Sequence, residues 1–351
     1  MSLLTGRKFA LWVGLFGAVA AAAVLAAPMI GAEAVQPFKA AAELFSEPPH
    51  QHSPQVDIFF FLRLPRICLA FLAGSGLSVV GLVFQALLRN PLATPYTLGV
   101  AGGGSFGAVV AIFLPTLLPA LDVAWGPFGM LQVFSFAGSL TAVGLIYALA
   151  RSSEGISTTD LLLAGVTLGM IFSALIMAVR YFADPDMLVG MDRWLMGSLD
   201  VNGWLDILSV IPLFVPAAAG LMMSAPSLDV ISFGEQMAAG RGVNVKRLQM
   251  SSFFWGSLLT ASVVAFAGPI GFVGLIVPHT VRRLVGADHR LLMPCVFLAG
   301  GAFLVVCDTL ARTMLAPTEL PVGVITSLLG GPFFIYLLVQ ARRGGRLWGR
   351  E

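Results

Sequence analysis

Long apolar runs alternate with short polar ones along the whole 351-residue chain. A helix crossing a hydrocarbon core needs about 20 mostly apolar residues, because each residue rises only about 1.5 Å. Ten runs meet or approach that length: Phe9–Ile30, Ile58–Leu88, Leu98–Leu118, Gly129–Ala150, Leu161–Phe182, Trp204–Met223, Ser251–Gly268, Ile270–Val285, Leu291–Leu315 and Val322–Val339. The seventh and eighth almost merge at Gly268-Pro269-Ile270, but Ser251–Val285 is too long for one crossing, so two are predicted. Arg7 and Lys8 before the first run, and Ala32-Glu33-Ala34 after it, outline a signal peptide. A signal's apolar core runs about 7–15 residues. This one continues from Phe9 to Ala27, so a retained helix is expected. The pattern predicts one all-α membrane domain over residues 1–351, with about ten transmembrane helices. The longest polar intervals are 31–57 and 224–250.

Composition agrees. Apolar residues make up 58% of the chain and charged ones 11%, against about 45–50% and about 25% in soluble domains. With the N-terminus placed in the cytoplasm, fourteen of the 20 basic residues fall on the cytoplasmic side. Lys39, Arg63, Arg66, Arg180, Arg193 and Arg312 fall outside. That asymmetry satisfies the positive-inside rule and puts both termini inside. The interval 31–57 then becomes a periplasmic loop and 224–250 a cytoplasmic one, in a multi-pass protein of the inner (cytoplasmic) membrane. A net charge of +2 says nothing about nucleic-acid or acidic partners, and no nucleic-acid partner is expected.

Little chemistry is visible. Cys68, Cys295 and Cys307 lie inside apolar runs without C-x-x-C spacing, and read as small buried hydrophobes. His50 and His52 share a proline-rich polar loop, read as loop polarity rather than a metal site. Asp308 and Arg312 are the clearest intramembrane ionisable groups, and their i,i+4 spacing lets them neutralise each other. A stand-alone secondary transporter or channel, the competing class, would carry more such groups. A Walker loop needs a lysine directly after a glycine. Lys8, Lys39 and Lys246 follow Arg7, Phe38 and Val245, so no catalytic residue is expected, and if the chain transports uphill the energy must enter from another subunit.

The 224–250 interval offers a place for it to enter. Ser232 as N-cap with Glu235 three residues on would form a capping box. Gly240 or Gly242 would stop the helix after about two turns. Such a short helix between the sixth and seventh spans is the shape of a docking peg.

Arg63-Leu64-Pro65-Arg66, Gln85-Ala86-Leu87-Leu88-Arg89-Asn90-Pro91-Leu92-Ala93, Leu98-Gly99-Val100 and Leu161-Leu162-Leu163-Ala164-Gly165 follow one another in order. Trp194-Leu195-Met196-Gly197-Ser198-Leu199, Gly271 to His279, Glu319 to Val324 and Leu329 to Phe334 continue the series. Over about residues 58–341 the chain resembles the FecCD-type permeases of iron-siderophore, haem and cobalamin importers. The resemblance implies a type II ABC importer with a second permease copy, in a homodimer. It also implies two cytoplasmic ATPase subunits that hold ATP and Mg, and a periplasmic or lipid-anchored substrate-binding protein. No cofactor is implied in this chain, and an iron(III)-siderophore is the expected cargo, with haem or cobalamin the alternatives.

The resemblance also assigns roles. Arg63, Arg66 and Arg312 would receive acidic residues of the binding protein, consistent with the planar fork of arginine; snorkelling of Arg63 and Arg66 at the lipid interface is the competing reading. Asn90, Leu92, Thr158 and Thr159 would form the cytoplasmic gate, although both threonines also suit a helix cap. Gly234, Glu235, Ala238 and Gly242 would belong to the coupling helix.

Overall fold

Each of the ten apolar runs folds into a helix. In the computed structural model, which describes residues 5–31, 33, 35–46, 53–118, 129–152, 155–156, 158–201 and 203–344, eight helices are long and apolar enough to cross a membrane. Helix α1 covers Gly6–Ala26 and tightens into a 3-10 turn at Ala27–Met29. A short α2, Pro37–Ser46, precedes a continuous 34-residue span. That span is built from α3 (Pro54–Val56), a π-helical segment (Asp57–Arg63) and α4 (Leu64–Leu87). Then come α5 (Val100–Leu117), α6 (Met130–Ala150), α7 (Thr158–Phe182), α8 (Pro185–Leu195) and α9 (Trp204–Met223). Two short helices, α10 (Ala225–Ile231) and α11 (Glu235–Gly240), lead into α12 (Val245–Ala267). The chain ends with α13 (Val273–Val285), α14 (His289–Thr313) and α15 (Val322–Gly344). Before α7, Arg151–Ser152 pairs antiparallel with Gly155–Ile156.

The core sits around α4, α12 and α14, whose apolar stretches are 83%, 72% and 67% buried, against 6% for α1 and 17% for α7. Between helices surrounded by lipid, close backbone approach replaces water exclusion as the source of cohesion. The α4–α14 crossing shows how. A Cβ at Gly74 would overlap the Gly300 carbonyl oxygen, and one turn away the Ser75 hydroxyl donates to the Phe297 carbonyl at 2.7 Å. These two helices therefore pack as one unit.

Three boundaries differ from the apolar pattern. The eighth run yields only the 13-residue α13, about 20 Å long and short of the roughly 30 Å hydrocarbon core. Gly268 has φ 63° and Phe272 φ 65°, so the chain resumes helix only at Val273. Helix α12 begins at Val245 rather than Ser251, because Asn244 Oδ1 caps it by accepting the Arg247 N–H at 2.9 Å. The interval 31–57 holds α2, whose Ala40 is fully buried while Phe38 is 89% exposed. His50 and His52 lie outside the described residues.

Candidate functional site

The three arginines singled out in the sequence come together at one end of the bundle, but each is already engaged. Arg63 closes the π-helical segment and is 8% exposed. It donates from Nη1 to the Pro28 carbonyl at 2.9 Å and from Nη2 to the Glu33 carbonyl at 2.6 Å. Arg312 donates to the carbonyls of Ile30 and Ala27 at 3.3 and 3.4 Å. A helix end leaves its last carbonyls open and carries partial negative charge. Here two guanidinium groups from distant helices close the end of α1. Arg63 is therefore turned into the bundle rather than toward the lipid interface.

Arg66 bridges the remaining acids. Its Nε donates to Asp308 Oδ1 at 3.0 Å and its Nη1 to Glu319 Oε2 at 2.6 Å. The other Asp308 oxygen accepts from Arg312 Nε at 3.0 Å, so the i,i+4 pair forms as part of a larger network. Asp308 has no exposed surface, while the Glu319 side chain is 42% exposed. All three arginines line a cleft of about 350 Å³ together with Glu33, Asp200 and Glu319. Glu319 was visible in the sequence only as part of a motif. Its partner Arg66 lies 253 residues away, a separation no local pattern encodes.

A groove of about 1060 Å³ runs along α7. On that helix Gly165, Gly169, Ser173, Met177 and Arg180 recur at spacings of three and four, so they share a face, with Met170 beside Gly169. From Gly165 to Arg180 the stripe extends about 22 Å. The opposite wall comes from Gly99, Gly102 and Ser105 at the start of α5, with Tyr96 and Thr97 before it. Met170 and Met177 are 69% and 65% exposed. Among the described residues the one charged group in the lining, Arg180, is ion-paired to Asp192 of α8. Among the described residues the groove is thus wide and carries no free charge. Its sequence signal was Gly165-x-x-x-Gly169-x-x-x-Ser173, a small-residue repeat that also suits plain helix packing. The two glycines differ in use. A Cβ at Gly165 would overlap the Thr97 carbonyl oxygen, whereas one at Gly169 meets nothing within 4 Å.

The expected gate residues divide between two places. Asn90 Oδ1 accepts the Leu92 N–H at 2.9 Å, fixing the turn after α4. Leu92 lines an apolar cavity of about 80 Å³ with Phe272, Ile276, His279, Phe333 and Phe334, separate from the α7 groove. Thr158 and Thr159 open α7. Thr159 is exposed, and the side chain of Thr158 lies outside the described residues.

At the opposite end of the bundle from Arg63, α11 projects between α10 and α12. The expected capping box does not form. Ser232 ends α10, and its hydroxyl donates back to the Asp229 carbonyl at 2.7 Å. Glu235 instead accepts from Gln249 Nε2 of α12 at 3.2 Å. The residue capping α11 is Gly234, whose φ of 116° is open to glycine and strained for other residues. Gly240 ends the helix after six residues, and Gly242 reverses the chain at φ 84°. Ala238 is fully buried and its carbonyl accepts the Val243 N–H at 3.0 Å. Phe233 and Met237, which sequence reasoning passed over, are 57% and 50% exposed, an apolar tip on a polar loop. Among the described residues no group of three or more His, Cys, Asp or Glu is placed to hold a metal ion.

Several known proteins are similar to this chain. The cobalamin import system permease protein BtuC of Halobacterium salinarum is 43% identical over 281 residues, 79% of this chain and 72% of that protein. The iron(3+)-hydroxamate import system permease protein FhuG of Bacillus subtilis is 37% identical over 284 residues, covering 81% and 84%. A solved inward-facing structure of a putative metal-chelate type ABC transporter superposes with a TM-score of 0.79 at 30% identity, over 93% of this chain and 98% of that one. The FecCD transport family matches residues 19–340. The chain is a multi-pass membrane protein and belongs to the FecCD transport family of ABC importer permeases.

Proposed function

We propose that two copies of this chain enclose a pathway for a bulky metal chelate, an iron(III)-siderophore, with the α7 groove as each copy's half. The carrying observation is the groove itself: about 1060 Å³, lined by small residues, methionines and neutral hydroxyls, its one charge neutralised. A hydrated cation or small oxyanion would be held by opposite charge. A chelate whose metal is already fully coordinated needs only room. The basic asymmetry supports an orientation with the Arg63 end outside and α11 in the cytoplasm of an inner-membrane protein. A substrate-binding protein then docks over the cleft of Arg63, Arg66 and Arg312. Two ATPase subunits, holding ATP and Mg, engage α11 through Phe233 and Met237. Haem or cobalamin import by the same machinery is the second reading, favoured by the kinship to a cobalamin permease.

Gly169→Trp tests the pathway, because Gly169 lines the groove and a Cβ there meets nothing within 4 Å. In proteoliposomes holding permease, ATPase and binding protein, uptake of a ferric hydroxamate should be lost while assembly and ATP hydrolysis persist. Undiminished uptake refutes the pathway. Parallel uptake of haem and cobalamin by the unaltered complex decides the cargo, and uptake without any ATPase would return the chain to the secondary transporters.

A further inference from the structure

The loop carrying α11 is fastened to the bundle by a bond that no functional assignment so far uses. Asp229, within α10, reaches the start of α14. Its Oδ1 accepts the His289 backbone N–H at 2.8 Å and lies 2.7 Å from Nδ1 of the same residue. Arg290 Nε stands 4.0 Å from the other carboxylate oxygen. His289 is 3% exposed, and Leu228 and Ile231, which flank Asp229 in α10, are fully buried. A carboxylate beside the open N–H groups of a helix start is favourably placed. Asp288 caps the same helix start from its own chain segment, accepting the Arg290 N–H at 3.1 Å, whereas Asp229 reaches it from a different helix. Apolar contact is non-directional and lets two helices slide, whereas two bonds to one oxygen fix distance and direction together.

From His289, α14 runs 25 residues, about 37 Å, with Asp308 and Arg312 in its last two turns. Along the way it is locked to α4 at Gly74 and Gly300, and α4 brings Arg66 to the same cluster. A displacement of α10 thus enters α14 at His289 and emerges at the cleft. We infer that the Asp229–His289 bond is the positioning link through which movement of α11 is passed to the α4–α14 pair. The inference rests on the reading of residues 224–250 as the ATPase-facing loop.

The test measures ATP hydrolysis and ferric hydroxamate uptake together in proteoliposomes of the full complex. In Asp229→Ala, uptake per ATP hydrolysed should fall about tenfold, the worth of one charge-assisted hydrogen bond, while assembly and hydrolysis stay near the unaltered level. Asp229→Asn, which keeps an acceptor but not the charge, should lie between. In a Cys68→Ser background, Asp229→Cys with His289→Cys should regain the ratio when joined by a short thiol cross-linker. Unchanged uptake per ATP in Asp229→Ala overturns the inference. So does an equal fall of assembly, hydrolysis and uptake that the cross-link leaves unrepaired, since the pair would then only support the fold. Failure of the unaltered chain to bind an ATPase would remove the reading beneath it as well, and is distinguishable because no variant is involved.

Discussion

Replacing Asp308 by Ala should be among the most damaging single changes in the chain. The carboxylate has no exposed surface and accepts two guanidinium N–H groups at 3.0 Å. Removing one partner of a buried ion pair costs about 3–5 kcal/mol, chiefly because the remaining charge is left uncompensated. Arg66 keeps Glu319 at 2.6 Å, so its share of the penalty is softened. Arg312, 6% exposed, keeps only carbonyls at 3.3 and 3.4 Å and Thr309. The lower half of the range, about 3 kcal/mol, follows. Taking away the stranded charge should help. In Asp308→Leu with Arg312→Met, the remaining loss is mainly the donors to two carbonyls, at about 1 kcal/mol each for such long bonds. The order of stability is therefore unaltered chain, double variant, single variant. Thermal unfolding in detergent, followed with a dye that reacts with thiols, suits the site, because Cys295 and Cys307 are buried until the bundle opens. A single variant that melts with the unaltered protein, or a double variant that melts below the single, refutes the charge argument.

Two further outcomes follow from other parts of the fold. Glu235→Pro at the first residue of α11 is tolerated by the helix but removes the Gln249 partner; Ala238→Pro, which loses the N–H that donates to the Gly234 carbonyl at 3.0 Å, costs about 3 kcal/mol locally, and either should lower uptake with the permease still folded, normal uptake in both removing α11 from the coupling role. Cysteines placed at Ser46 and Asp186 should react with an impermeant thiol reagent added outside intact cells while one at Lys246 does not, and labelling at Lys246 would reverse the orientation.

The spans were legible because burial in lipid demands long apolar runs, a signal carried by each run alone. Where local polarity intrudes, the reading slipped. The first turn of α12 is Val245-Lys246-Arg247, and only the Asn244 cap marks it as helix. Ser232 and Glu235 have capping-box spacing, yet Gly234 lies between them at a positive φ, which breaks the helix the box would start. The arginine cluster was legible in membership but not in connection. Arg63 satisfies carbonyls around Pro28 and Glu33, and Arg66 an acid 253 residues on. Such partners are chosen by tertiary packing. The groove was hidden for a different reason: small residues three and four apart describe a tight contact and an open path equally well, and only Gly169, with nothing near its missing Cβ, separates the two.

The carbonyls at the end of α1 set a constraint on biogenesis. That helix leaves the ribosome well before Arg312, which holds the Ala27 and Ile30 carbonyls and lies about 285 residues behind. Arg63 arrives soon enough to take Pro28 and Glu33, so half of the clasp can close during early insertion. The other half stays open until α14 has entered the bilayer and Asp308 has oriented Arg312 beside it. Helix α1, barely buried along its length, is therefore fully secured only after α14 has inserted. A nascent chain stalled before α14 would leave α1 free to be sampled by membrane quality control.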